Sequence, residues 1–202
     1  MAKIVTSARM RALEAAEIDS GRVTGLELME RAGRGVLAAI LERWPHPGRA
    51  VILCGPGNNG GDGHVIARLL AVRGWQVAVH EFGDPARLPP DAAANRSRAA
   101  TLGLIAATPP DLTGADLVVD ALFGIGLTRP LQGFDALFAT LRASPAPVVA
   151  VDLPSGMAAD SATDWPAAPC DLCVTFHAEK PVHQILRDRG VKVVVQDIGL
   201  PR

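Results

Sequence analysis

The stretch that most limits what this chain can become is Gly55-Pro56-Gly57-Asn58-Asn59-Gly60-Gly61-Asp62-Gly63. An apolar run, Ala50 to Cys54, precedes it and reads as a buried strand; His64 to Val72 follows and reads as the start of a helix. A strand, a Gly-rich turn and a helix N-terminus together form an anion site, because backbone N–H groups and the helix dipole point at the ligand. Gly55, Gly57 and Gly60 spell G-x-G-x-x-G, and Glu81 stands where a dinucleotide fingerprint places its ribose acid. That fingerprint leaves Asn58, Asn59 and Asp62 unexplained. Three polar side chains in a turn built for close backbone approach suggest a loop that does more than hold a phosphate.

The rest of the chain alternates in the same way. Ser7 to Asp19 reads as a helix with Ser7 as its N-cap, and Thr24 to Trp44 as a longer one, with Thr24 and Glu27 in a capping box. Strands are expected at Val51–Cys54, Gln76–Phe82, Leu104–Ala107, Asp116–Leu122, Val148–Leu153, Asp171–Phe176 and Val191–Asp197. Helices are expected at Gly63–Arg73, Asp91–Leu102 and Leu131–Arg142. Runs such as V-V-A-V and K-V-V-V suit strands buried on both faces. The expected fold is a Rossmann-like, three-layer α/β/α sandwich with a mostly parallel sheet and two N-terminal helices, one domain over residues 1–202.

Composition excludes several classes. A net charge of -1 without a basic stripe gives no grip on nucleic acid. No apolar run is long enough to span a bilayer, and the N-terminus lacks a signal-peptide core, so a cytoplasmic protein is expected. The three cysteines make no disulfide framework, and Cys170 and Cys173 read as small residues packed on a strand. No P-loop, nucleophile elbow or H-E-x-x-H occurs.

In an open α/β sheet, ligands bind beyond the carboxyl ends of the strands. Three strand ends carry chemistry here: the Asn58–Asp62 loop, Asp120 leading into Gly124-Ile125-Gly126-Leu127-Thr128-Arg129-Pro130, and Asp152 leading into Ser155 and Gly156. Asn59, Asp120 and Ser155 offer an amide oxygen, a carboxylate and a hydroxyl. These are hard donors with little charge, which suits a monovalent cation better than a dehydrated divalent one. Asp152 remains as an acid/base group, and Arg129 could face a phosphate or simply be a solvated loop charge. Lys180, one of only three lysines, reads either as a functional ammonium or as a surface charge. His64 and His177 read as structural.

These motifs together resemble the NAD(P)H-hydrate epimerase family, the YjeF-type N-terminal domain. The resemblance runs from about Met10 to Pro201. It rests on M-R-A-L-E, L-M-E-R-A-G (Leu28 to Gly33), G-P-G-N-N-G-G-D-G, V-D-A-L-F-G-I-G-L (Val119 to Leu127), V-D-L-P-S-G (Val151 to Gly156), V-T-F-H-A-E-K-P (Val174 to Pro181) and D-I-G-L-P. It implies an isomerase of metabolite repair that interconverts the R and S hydrates of NADH and NADPH (NADHX and NADPHX), which carry a hydroxyl at C6 of the reduced nicotinamide. Asn58, Asn59, Gly60, Gly61, Asp62, the 124–130 loop (Gly124, Ile125, Gly126, Leu127, Thr128, Arg129, Pro130) and Asp152 would bind the hydrate, and Asn59, Asp120 and Ser155 would hold K+. Asp152 would be catalytic, with Lys180 second to it. A separate or fused NAD(P)HX dehydratase is the implied functional partner, and a homodimer is one option.

The chain departs from the family pattern at Ile125, at 157–169, where the usual D-T-G is missing, and at His177 and Val182, where glycine is common. Two rival functions remain at this level. One is a non-catalytic nucleotide-binding or protein-interaction module of the same fold; the other is an ordinary NAD-linked oxidoreductase.

Overall fold

The structure, a computed structural model, describes residues 4–201. Six strands form one sheet: β1 (Arg49–Cys54), β2 (Gln76–Glu81), β3 (Leu117–Ala121), β4 (Val148–Val151), β5 (Leu172–Phe176) and β6 (Lys192–Gln196). Their order is β2-β1-β3-β4-β5-β6, and each neighbouring pair is parallel. The chain places β2 on one side of β1 and then crosses to build β3 to β6 on the other. The switch point therefore lies between β1 and β3, where such sheets open a crevice for ligands.

The strands bury both faces, and alternate residues sort between two cores. Ala50, Ile52, Cys54, Val119 and Val149 pack beneath α2 (Gly25–Arg43) and α3 (Asn58–Val72). Val51, Leu53, Val118 and Val148 pack on the opposite side with Phe138 and Leu141 of α5 (Asp135–Ala143). Cys173 and Val193 meet Val182 and Leu186 of α6 (Pro181–Asp188). The helix α4 (Pro90–Thr101) leans on α3 and α2, with its Ala92 clustered with Val65 of α3 and Met29 of α2. The three-layer α/β/α fold is the one the strand pattern predicts.

Several local expectations change. The first helix, α1 (Ser7–Asp19), is capped by Thr6, whose Oγ1 accepts from Arg9 N at 3.2 Å. Ser7 instead donates its N–H and Oγ to the carboxylate of Asp160, at 2.7 and 2.6 Å. The capping box of α2 forms as expected, with Thr24 N donating to Glu27 Oε2 at 2.8 Å. Residues 104–107 make a single bridge, Ile105 to Val79, instead of a strand. The short helix α6, led by Pro181 and followed by Gly190 at φ +80°, was not expected.

The largest change is at α3, which begins at Asn58 with Gly57 as N-cap, not at Gly63. The polar residues of the Gly-rich stretch thus form the first turns of a helix. Glycine disfavours helix interiors, but packing overrides that here. A Cβ on Gly60 would strike the backbone of Gly55, and one on Gly63 would lie 2.6 Å from Cys54 Sγ.

Candidate active site

A cavity of about 980 Å³ opens at the switch point, beyond the carboxyl ends of β1, β3 and β4. Asn58, Asn59 and Asp62 enter it from α3, residues 124–130 from the β3–α5 connection, and Asp152 from the end of β4. Gly60 and Gly61 do not line it. Both are buried, Gly60 against Gly55 and Gly61 against Met29 and Ala92, so they bring the helix close without forming the wall. Arg129 lines the cavity and is exposed.

Asp152 has an unusual backbone. Its φ is +69°, and Leu153 N donates to Val151 O at 2.9 Å, so Asp152 is the centre of a γ-turn. This form is rare and strained. The same turn recurs one strand over, where His177 has φ +62° and Ala178 N donates to Phe176 O at 2.6 Å. A positive φ is why glycine suits position 177. At Asp152 the surroundings fix the turn: its N–H donates to Val174 O at 2.8 Å, and its carbonyl accepts from His183 Nε2 at 2.7 Å. Nδ1 of His183 accepts from Lys180 N at 2.8 Å, which leaves Nε2 to carry the proton. Burial holds His183 below the usual histidine range, consistent with a neutral ring.

The carboxylate of Asp152 is divided. Oδ1 accepts from Thr175 Oγ1 and from Lys180 Nζ, each at 2.8 Å. Oδ2 turns toward the 124–130 loop, with Ile125 N at 3.4 Å. Lys180 is 1% exposed, so it is no surface charge; its Nζ also donates to Thr175 Oγ1 at 2.8 Å. Burial alone would push Asp152 upward as an acid. The Lys180 charge and the hydrogen bonds from Lys180 and Thr175, with a smaller pull from His183, outweigh it and hold the carboxyl below its ordinary value.

Asp120 and Ser155 lie behind the cavity wall, fully buried. Asp120 Oδ1 accepts from Ser155 Oγ at 2.6 Å and Leu122 N at 3.2 Å, and Oδ2 accepts from Ser155 N at 2.8 Å. These donors are neutral, and burial outweighs them, raising the Asp120 pKa. Asn59 presents Oδ1 toward Gly124, while its buried Nδ2 makes no hydrogen bond. Among the described residues, no group of three or more His, Cys, Asp or Glu could hold a metal ion. An all-oxygen set of one carboxylate, one hydroxyl and one amide is a different kind of donor group.

Glu81 is not a ribose ligand. Arg96 holds its two oxygens at 2.7 and 2.8 Å, His64 Nε2 lies 3.3 Å away, and it does not reach the large cavity. Burial lowers His64 to about 4, which favours a neutral ring beside Glu81. Sequence reasoning missed Arg11 and Glu14 of α1, which line the cavity, and Thr175 and His183, which hold Asp152. For Lys180 the signals were the scarcity of lysine and its place in the V-T-F-H-A-E-K-P motif.

No helix among the described residues is long and apolar enough to cross a membrane. The chain is 57% identical to a NAD(P)H-hydrate epimerase of Rhodobacter capsulatus, over 99% of this chain and 100% of that one. It is 37% identical to a bifunctional NAD(P)H-hydrate repair enzyme Nnr of Coxiella burnetii, over 89% of this chain and 38% of that longer one. The crystal structure of yeast ynu0 shares the fold, with a TM-score of 0.84 at 23% identity, covering 99% of this chain and 90% of that one. Residues 25–182 match the family described as YjeF-related protein N-terminus, and the chain belongs to that family.

Proposed function

We propose that this chain is an isomerase that interconverts the R and S hydrates of NADH and NADPH. The relatives' names supply the substrate class. The observation that carries the chemistry is the divided carboxylate of Asp152: one oxygen held by Lys180 and Thr175, the other turned to the cavity. The C6 carbon of the hydrate bears both a hydroxyl and the ring nitrogen. Protonation of the hydroxyl lets it leave as water while the nitrogen lone pair forms an iminium. Water returning to the other face gives the epimer. Asp152 exchanges a proton with that oxygen through Oδ2. The first N–H groups of α3, beside Asn58 and Asn59, have no partner within the helix and suit the substrate's phosphates.

Potassium fits the buried oxygen set. Asp120 is a carboxylate among neutral donors, and Asn59 and Ser155 add neutral oxygens. Asn59, Asp120 and Ser155 would hold the ion, which would supply a fixed positive charge that compensates Asp120. The Coxiella burnetii relative is longer and named bifunctional, which is in keeping with a second repair activity, a dehydratase, as the functional partner.

One assay separates the readings. The purified R hydrate of NADPH is incubated with the protein, and the S form is followed by chromatography. Equilibration faster than the protein-free control is expected. Binding without turnover would instead indicate an interaction module, and hydride transfer to an added acceptor an oxidoreductase.

A further inference from the structure

Loss of water from one face of a flat ring and its return to the other presents a problem that Asp152 alone does not solve. A carboxylate fixed by Lys180, Thr175 and its own γ-turn cannot follow the oxygen from one face to the other. The cavity holds two further carboxyls on elements outside the sheet, Glu14 on α1 and Asp62 on α3. Glu14, on α1, is half-buried and lines the same space as Asp152. Among the described residues it is assigned no hydrogen bond or ion pair, unlike Glu17 on the same helix, whose oxygens are held by Arg22 at 2.6 and 2.8 Å. Its carboxyl is therefore uncommitted and within the substrate's space.

Resting on the epimerase reading above, we infer that Glu14 is the second catalytic acid/base, serving one face of the nicotinamide ring while Asp152 serves the other. In one direction the Glu14 carboxyl gives its proton to the C6 hydroxyl. The C6–O bond breaks, both electrons leave with water, and the nitrogen lone pair forms the C=N bond. Water then attacks C6 from the Asp152 side, the C=N electrons return to nitrogen, and Asp152 Oδ2 takes the water's proton. Glu14 ends ionised and Asp152 protonated; proton exchange with solvent, or turnover in reverse, restores the pair. No electron is gained or lost.

The electrostatics suit such a pair. Burial first, and then the charge of Asp152, raise Glu14 to about 6, against the pull of Lys180 and Arg11. Asp62 of α3, pushed well above the carboxylate range by burial and then by Asp152 and Glu14, lines the same cavity, as does Arg129. Two carboxyls with separated proton affinities divide acid and base roles. The active form carries one proton on the pair, so activity falls as pH rises through the Glu14 value.

The test uses the whole chain and the purified R hydrate of NADPH. Wild-type kcat/KM should show a descending limb near pH 6. Glu14→Gln, nearly isosteric and with no assigned partner to lose, should melt like the wild type. It should lose at least about a hundredfold in kcat with KM little changed, and the limb should vanish. Glu14→Asp should restore part of the rate and the limb. A Glu14→Gln protein that keeps wild-type kcat and the limb overturns the proposal while the epimerase reading stands, and so does a wild-type profile without the limb. If Glu14→Gln fails to fold, the wild-type profile and Glu14→Asp decide. A wild type that does not epimerise the hydrate overturns the reading beneath.

Discussion

Asp120 and Asp152 stand at the ends of adjacent parallel strands, both buried, yet their proton affinities move in opposite directions. Asp120 receives only neutral donors, from Ser155 and Leu122, and burial wins. Asp152 receives Lys180 Nζ as well as Thr175, and burial loses. The backbone differs too. Asp120 continues a ladder opposite Ala150, whereas Asp152 sits in a γ-turn at φ +69°. Position in the fold brings a carboxylate to the switch point, while its neighbours set its proton affinity.

The largest effect is expected at Asp152. Asparagine tolerates a positive φ, so Asp152→Asn should keep the γ-turn while losing the proton-transfer oxygen. Turnover should fall by about 10²–10⁴, measured on the R hydrate. The same variant tests the sign of the pKa shift. A lowered carboxyl contributes stability that is present above its unfolded value and lost as pH falls through the folded one. The stability gap between wild type and Asp152→Asn should therefore narrow as thermal midpoints are measured toward low pH. A constant gap would mean that Lys180 does not hold Asp152 ionised.

Lys180→Met should turn Asp152 into a second Asp120. Removing one partner of a buried pair costs roughly 3–5 kcal/mol, and Asp152 should then bind its proton at a pH above the ordinary carboxylate range. Denaturant unfolding and the pH profile of kcat report the two effects. A smaller loss is expected at the other aspartate. Ser155→Ala removes the Oγ donor to Asp120 and should cost about 1–3 kcal/mol. If Ser155 and Asp120 hold potassium, the wild-type thermal midpoint should rise when sodium is replaced by potassium, and this variant should lose most of that rise. An equal response in both proteins would remove potassium from this site.

Much of this was legible before any coordinates. The strands are short apolar runs with β-branched residues, buried on both faces, and such runs announce themselves. Asp120, Asp152 and Ser155 could be placed because they follow those runs directly. The start of α3 could not be read. Three glycines among Asn58–Gly63 look like a loop, and only their contacts with Gly55, Met29 and Cys54 show why a helix needs them. α6 is eight residues long, too short for its periodicity to stand out, so the partners it brings to Asp152 stayed hidden. Glu14 stood in the M-R-A-L-E motif but carried no role there, for another reason. On a helix with only Ser7, Met10 and Glu17 buried, an acid reads as a solvated face until the cavity beneath it is seen.

The manner in which α1 is attached has a consequence for local opening. Its ties beyond Met10 are largely polar: Ser7 to Asp160, Arg11 Nη1 to Ile125 O at 3.4 Å, and Glu17 to Arg22. β1, by contrast, is flanked by two strands and buried along nearly its whole length. Elements with few buried apolar contacts detach at lower free energy than the core they cover. Amide protons of α1 should thus exchange with solvent long before those of β1. Each such excursion carries Arg11 and Glu14 away from the cavity and widens its mouth while the sheet stays intact.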